Sequence, residues 1–193
     1  MKTTREHARG QRGFTLTELM VSVAIVGVLA SLAAMSVKDR PTANAARRLQ
    51  VTLSEARRMA TAGGPVRLDV ALATNVHDRA RVEVTPGANG DTVELLRFVE
   101  DAGTATGSWS VDDSYYLPRA TRVYGVAATA QTTPGGAVPG ALTGTSVKRF
   151  YADGSADGAT YFVTDRDRVA GKSEPYRVTV MPLTGMSRTW LGW

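Results

Sequence analysis

The hydrophobic pattern of the chain begins with one long apolar run, Phe14 to Val37, in which Glu18 is the single ionisable residue. A helix of this length reaches about 35 Å, enough to cross a hydrocarbon core about 30 Å thick. Residues 1–13, in front of the run, are basic, and a basic flank stays on the cytoplasmic side of a membrane. The pattern therefore predicts a transmembrane helix over residues 14–37, followed by an exported body.

An apolar run behind a basic leader has three other interpretations. A secretory signal peptide would have a shorter apolar region and would end at an Ala-x-Ala-like site. A plain signal anchor would carry Glu18 near the membrane edge by accident, and a soluble protein could bury the run as a core helix. Segment length and charge alone favour the plain anchor and leave the alternatives open.

The pattern becomes amphipathic in the next segment, residues 38–64. Glycine can cap a helix and proline cannot continue one, so Gly63-Gly64-Pro65 is predicted to end this helix. We expect the apolar stripe to pack on a globular body, and the arginine-rich face to be solvated or, alternatively, to bind an acidic partner. The stripe recurs at steps of three and four residues and consists of Ala46, Leu49, Leu53, Ala56 and Ala60.

Residues 65–193 change to short, alternating, β-branched segments separated by turn residues, which predicts an antiparallel β-rich body. The fold class is therefore α+β, with a long N-terminal helix packed on a small β-sandwich. Residues 127–144 are rich in small and turn-forming residues and are predicted to be an exposed loop with a contact role or local disorder. The predicted strands are Val66–Leu72, Arg81–Thr85, Thr92–Val99, Thr121–Val126, Ser146–Tyr151, Thr160–Thr164 and Tyr176–Met181.

The charge of the chain lies mostly in its leader. The formal net charge is +5, of which residues 1–13 hold +3, so the remainder of the chain is only mildly basic. This distribution gives no strong reason to expect nucleic-acid binding. The absence of cysteine excludes disulfides, thiolate zinc sites and a cysteine nucleophile.

The sequence has few residues that could serve in catalysis or bind a metal ion. Its two histidines are His7 and His77, and the first lies in the leader, so a histidine cluster is excluded. Asp153 and Asp157 could belong to a calcium loop, but no closing glutamate follows and the adjacent glycines favour a turn. We therefore expect a protein that is not an enzyme and has no cofactor.

The segment Gly13-Phe14-Thr15-Leu16-Thr17-Glu18, between the basic leader and the apolar run, resembles the prepilin signal of type IV pilins and type II secretion pseudopilins. The resemblance implies cleavage after Gly13 by a prepilin peptidase and N-methylation of Phe14. It also implies that Glu18 pairs with the freed terminal amine of a neighbouring subunit or of the same chain. A carboxylate in an apolar core needs such a partner, because an unpaired charge there costs at least a few kcal/mol.

Three further segments are similar to the GspH/FimT/FimU-like group of minor pilins and pseudopilins. One is the predicted hairpin Phe150–Val163 with its two Asp-Gly turns, and another is Val180–Arg188, which matches the group's final strand and Thr-Gly turn. The third is the end of the amphipathic helix, LSEARRMATAGGPVRL. The resemblance implies a pilin-like fold.

The expected function is that of a minor pilin of a type IV pilus, which helps to initiate or cap a filament serving adhesion, motility or DNA uptake. The implied partners are other major and minor pilins, the prepilin peptidase, the inner-membrane assembly platform and, before assembly, membrane lipid. One alternative is the H-type minor pseudopilin of a type II secretion system. Another is a DNA-binding minor pilin, motivated by the basic, aromatic tail from Arg188 to Trp193.

Overall fold

The structure is a computed structural model and describes residues 15–36, 40–62, 78–100, 107–133, 136–166 and 175–192. The chain forms two compact units, Met1–Asp39 and Arg40–Trp193. The first contains helix α1, and the second contains helix α2 and all of the described strands.

Helix α1 spans Leu16–Ser36. Its large apolar side chains, among them Leu16, Ile25 and Leu29, are more than half exposed, because the unit has no other described element to cover them. Within the residues whose side chains are described, no helix is both long enough and apolar enough to cross a membrane.

Helix α2 spans Pro41–Ala62 and begins with proline, whose fixed φ suits the first helical position. The predicted stripe is confirmed, since all five of its residues are buried. Four residues on the same face extend the buried surface: Thr42, Ala45, Thr52 and, at its margin, the half-buried Met59. The predicted stop at Gly63-Gly64-Pro65 lies outside the described residues.

Within the described ranges, eight antiparallel strands form two four-stranded sheets. Sheet A has the order β3-β2-β1-β5, and sheet B has the order β4-β6-β7-β8. The strands are β1 Asp78–Thr85, β2 Thr92–Glu100, β3 Gly107–Tyr116, β4 Thr121–Ala127, β5 Ser146–Tyr151, β6 Ala159–Asp165, β7 Tyr176–Val180 and β8 Ser187–Leu191.

Helix α2 contacts strands of both sheets, and its stripe completes a single core with them. Strand β1 contributes one of its faces to this core: Ala80, Val82 and Val84 are buried, while the residues between them are partly exposed. The predicted α+β class, with a helix packed on antiparallel sheets, is confirmed.

Six of the predicted strands are present with small differences at their ends. The predicted strand Val66–Leu72 lies outside the described residues. Strand β3 was not predicted. It is an edge strand in which only Tyr115 is buried, so the apolar residues Trp109 and Val111 do not mark a buried face. Strand β8 was expected only through resemblance.

The segment after β4, predicted to be an exposed loop, lies across sheet B. The Gln131 amide N–H donates to Thr160 Oγ1 at 2.8 Å, and Thr179 Oγ1 donates to the Gln131 carbonyl at 3.0 Å. Further along, the Leu142 N–H donates to the Tyr124 carbonyl at 2.7 Å. Many of its side chains are exposed, as predicted, but its backbone is fixed to the sheet.

Candidate processing and assembly site

The predicted processing residues Gly13 and Phe14 lie outside the described residues. The structure begins to describe the chain at Thr15, immediately before α1. The described part of the predicted processing and assembly site is therefore the first turn of that helix.

The first turn of α1 is closed by a reciprocal pair of hydrogen bonds between Thr15 and Glu18. The Glu18 N–H donates to Thr15 Oγ1 at 3.2 Å, and the Thr15 N–H donates to Glu18 Oε2 at 2.9 Å. This is a capping box, in which each side chain satisfies a backbone donor that the helix leaves unpaired. The carboxylate also lies at the positive end of the helix dipole.

One carboxylate oxygen of Glu18 remains available. Oε2 also accepts the Thr15 hydroxyl at 2.9 Å, whereas Oε1 makes no hydrogen bond with any residue that the structure describes. Glu18 is exposed within its unit. The site can therefore keep its cap and offer its second oxygen to a cation, such as a terminal amine.

Sequence analysis missed the role of Thr15. The signal was present, because Thr15-Leu16-Thr17-Glu18 has the Thr-x-x-Glu spacing of a capping box directly before an apolar run. The resemblance to prepilin signals implies a role for Glu18 and none for Thr15.

Two glycine-containing turns of the body, at Gly154 and Gly185, meet beside α2. A Cβ at Gly185, in the turn between β7 and β8, would lie 2.6 Å from the Gly154 carbonyl oxygen and 3.2 Å from Arg57 Cδ on α2. Gly185 has a φ of 58° and Gly154 a φ of 85°, which other residues rarely adopt. The Ala156 N–H donates to the Pro182 carbonyl at 2.8 Å and joins the same two segments.

Asp153 and Asp157 accept hydrogen bonds within the segment that joins β5 and β6. Asp153 Oδ1 accepts the Ser155 N–H at 2.9 Å, and Asp157 Oδ1 accepts the Tyr151 hydroxyl at 2.9 Å. These bonds stabilise the reversal between β5 and β6. The described residues contain no group of three or more acidic or histidine side chains able to hold a metal ion.

A buried carboxylate that sequence analysis missed joins the two sheets. Asp91 is 3% exposed, and its Oδ2 accepts the Val123 N–H of β4 at 2.6 Å. Its Oδ1 accepts the Gly87 N–H at 3.3 Å and lies 3.5 Å from the Arg166 guanidinium. Asp91 follows a Gly-Ala-Asn-Gly turn, and nothing in that pattern distinguishes it from an exposed turn residue.

The basic, aromatic tail forms strand β8 on β7. Arg188 is exposed, whereas Trp190 is half-buried opposite Arg177. The last residue, Trp193, lies outside the described residues.

Comparison with protein families gives one match, in which residues 8–34 match the prokaryotic N-terminal methylation motif. No curated protein and no solved structure matches the chain. The motif supports a type IV pilin-like or pseudopilin protein, which is a structural class and not an enzymatic one. It also supports membrane anchoring, processing by a prepilin peptidase and assembly with other pilins.

Proposed function

We propose that this chain is a minor pilin subunit of a type IV pilus, cut after Gly13 and methylated on Phe14. The observation that carries the proposal is the methylation motif at residues 8–34, which includes the processing site and continues into α1. In this proposal, residues 14–37 anchor the subunit in the inner membrane and later enter the filament core. The body is periplasmic before assembly.

In the mature subunit, Glu18 has the assembly role. Cleavage creates a terminal amine on Phe14, one residue before the capping Thr15. An amine from a neighbouring subunit, or from the same chain, would pair with the oxygen that the cap leaves available. Because both charges enter an apolar environment, the pairing sets the axial register of stacked helices and contributes less to stability.

The minor role is supported by the body. The segments that resemble GspH/FimT/FimU-like proteins meet at the Gly154–Gly185 contact, where α2 also ends. The initiating or capping role is carried over from the resemblance of these segments to that group. Quantitative proteomics of sheared filaments tests this role: the subunit should be much less abundant than the main pilin, and equal abundance would contradict it.

The same features fit an H-type pseudopilin of type II secretion. A deletion strain should lose twitching motility or piliation and keep protein secretion. Loss of secretion with normal pili would instead assign the chain to the secretion system.

A DNA-binding minor pilin is supported by one observation, the exposure of Arg188 on β8. Trp190 counts against it, because burial of one ring edge leaves less surface for stacking on bases. Gel shifts with the full chain in detergent would reveal DNA binding as a salt-sensitive retardation.

A further inference from the structure

Among the described strands, three of the four that lie at a sheet edge are bonded to another part of the chain. Strand β5 forms two backbone hydrogen bonds with the segment 155–157 that follows it. Strand β4 accepts a bond from the Leu142 N–H at its Tyr124 carbonyl, over 2.7 Å. Strand β8 is short, and its Ser187 carbonyl accepts a bond from Gln50 Nε2 on α2 at 3.3 Å. Such cover matters because an open strand edge offers its unpaired N–H and C=O groups to another strand.

Strand β3 is the fourth edge strand, and no residue that the structure describes pairs with its outer edge. It pairs with β2 alone. Its second half is protected by a bulge and by two exposed acidic residues, Asp112 and Asp113. Its first half, Gly107–Val111, has no charge, no proline and no bulge, which are the devices that usually block an edge.

The side chains of Gly107–Val111 leave this half of the edge accessible. The Trp109 ring packs inward over the sheet, with its centroid 5.3 Å from that of Phe98 on β2 and 3.8 Å from the Arg81 guanidinium carbon on β1. The two serines on either side of the tryptophan are small and exposed, and Val111 is 53% exposed. A second strand can therefore approach the backbone here without displacing a bulky side chain.

The order Gly-Ser-Trp-Ser-Val is compatible with antiparallel pairing to a copy of itself. With Trp109 on a two-fold axis, Ser108 lies opposite Ser110 of the second copy, and Gly107 lies opposite Val111 of the second copy. Serines that face each other across two strands can form a hydrogen bond. In this register the acidic residues of the second half are not opposite one another, so no like charges meet.

We propose that two copies of this chain pair antiparallel through Gly107–Val111, so that their two four-stranded A sheets join edge to edge. Pairing supplies partners for the backbone groups that the described chain leaves open, and a two-fold axis is the commonest symmetry of soluble dimers. A short strand edge buries little surface, so the contact is weak and reversible in solution. This inference goes beyond the proposed minor-pilin role and does not depend on it.

Disulfide cross-linking of the full chain in detergent tests the register directly, because the chain has no cysteine of its own. Ser108→Cys and Ser110→Cys are made as separate proteins with different affinity tags and are mixed under mild oxidation. Directly opposite residues have Cβ atoms about 5 Å apart, close to disulfide reach, whereas the same residue in the two copies is about 7–8 Å apart. We expect the mixed disulfide to form several-fold faster than the disulfide of either variant with itself.

Ser114→Cys is the matched control, since Ser114 is an exposed serine on the same strand, beyond the bulge. Mixed with Ser108→Cys, it should form no more disulfide than either variant alone. Equal rates in every combination would show unspecific collision and overturn the proposal. A mixture of Ser108→Cys and Ser110→Cys that forms no disulfide would also overturn it, and the partner of this edge would then be sought in another protein.

A charged variant separates this contact from association through α1. Ser108→Lys combined with Ser110→Lys places lysines opposite each other across the pair, and like charges in that position destabilise strand pairing. Both positions are exposed, so the monomer should stay folded. In light scattering of the full chain in detergent, the mass of the natural chain should rise from the monomer towards the dimer with concentration. The variant should need at least about tenfold higher concentration, and a variant that dimerises like the natural chain would contradict the proposal.

Discussion

At the scale of single residues, the capping bonds of Glu18 and its proposed pairing with an amine are separable. Its Oε2 closes the first turn of α1 with Thr15, and its Oε1 is available for a cation. The capping bonds need only an acceptor, whereas pairing with an amine in an apolar environment needs the negative charge.

Glu18→Gln therefore tests the pairing directly, because glutamine keeps an acceptor for the cap and loses the charge. We expect normal cleavage after Gly13 and at least about tenfold less subunit in sheared filaments, as measured by quantitative immunoblotting. Thr15→Ala is the control: it removes the hydroxyl of the cap and keeps the carboxylate. Normal incorporation of Glu18→Gln would show that amine pairing is not required.

The core contains two buried tyrosines, Tyr161 and Tyr115, whose hydroxyl groups differ in hydrogen bonding. The Tyr161 ring is fully buried, and its hydroxyl has no hydrogen-bond partner among the described residues. Burial raises the pKa of Tyr161 well above its ordinary value, with a smaller contribution from Asp157. Tyr115 is also buried, but its hydroxyl lies 3.0 Å from Thr52 Oγ1.

Tyr161→Phe should leave the free energy of unfolding unchanged or raise it by about 1 kcal/mol, because it removes an unpaired buried hydroxyl. Tyr115→Phe should lower it by about 1 kcal/mol, because it leaves Thr52 without this partner.

The stability of the natural chain should also depend on pH through Tyr161. Above pH about 10 the tyrosine ionises in the unfolded state but not in the folded state, so the free energy of unfolding is highest below that pH and falls above it. Tyr161→Phe should reduce this loss, and denaturant unfolding at several pH values measures it.

At the scale of elements, the Gly154–Gly185 contact holds the hairpin β5–β6, the turn β7–β8 and the end of α2 together. The approach is possible only because Gly185 carries no Cβ, whereas a Cβ at Gly154 would lie 3.5 Å from Thr61 Cγ2, an ordinary contact. The bond from the Ala156 N–H to the Pro182 carbonyl then fixes the two segments at 2.8 Å.

Gly185→Ala should destabilise the body by roughly 1–3 kcal/mol, because it adds a Cβ in contact with a carbonyl oxygen and strains a positive φ. Gly140→Ala is the matched control, since nothing lies within 4 Å of its Cβ position and its φ is not positive. Its effect should stay within about 0.5 kcal/mol. Equal midpoints for the two variants in urea unfolding would contradict the proposed contact.

The sequence predicted elements where burial is one-sided and periodic. The stripe of α2 and the alternation of β1 both follow from one face being buried. Strand β3 follows no such pattern, since it lies at the sheet edge and only Tyr115 is buried in it. β6 was predicted although it is buried on both faces. The cover of its outer face was not predicted, because it comes from a segment distant in sequence.

At the scale of the whole molecule, the sequence predicts more about processing than about the body. The motif at residues 8–34 is local, so its chemistry is readable from consecutive residues. The Asp91 junction joins segments of the two sheets that are far apart in sequence and become neighbours only in the fold. No periodicity could have identified it.

We expect the two chain units to divide the proposed function. The first contains the capped start of α1, and the second contains one core with its own helix and both sheets. Changes at Gly185 or Tyr161 are expected to alter the stability of the second unit, and changes at Glu18 are expected to alter assembly.

The most direct test of the central claim is mass spectrometry of the N-terminal peptide from the membrane fraction of cells that make the natural chain. The account predicts a peptide that begins at Phe14 and carries one methyl group on its amine. A Gly13→Ala variant should keep residues 1–13 and lack the methyl group. A natural chain that begins at Met1, or that is cut at another bond, would contradict the account.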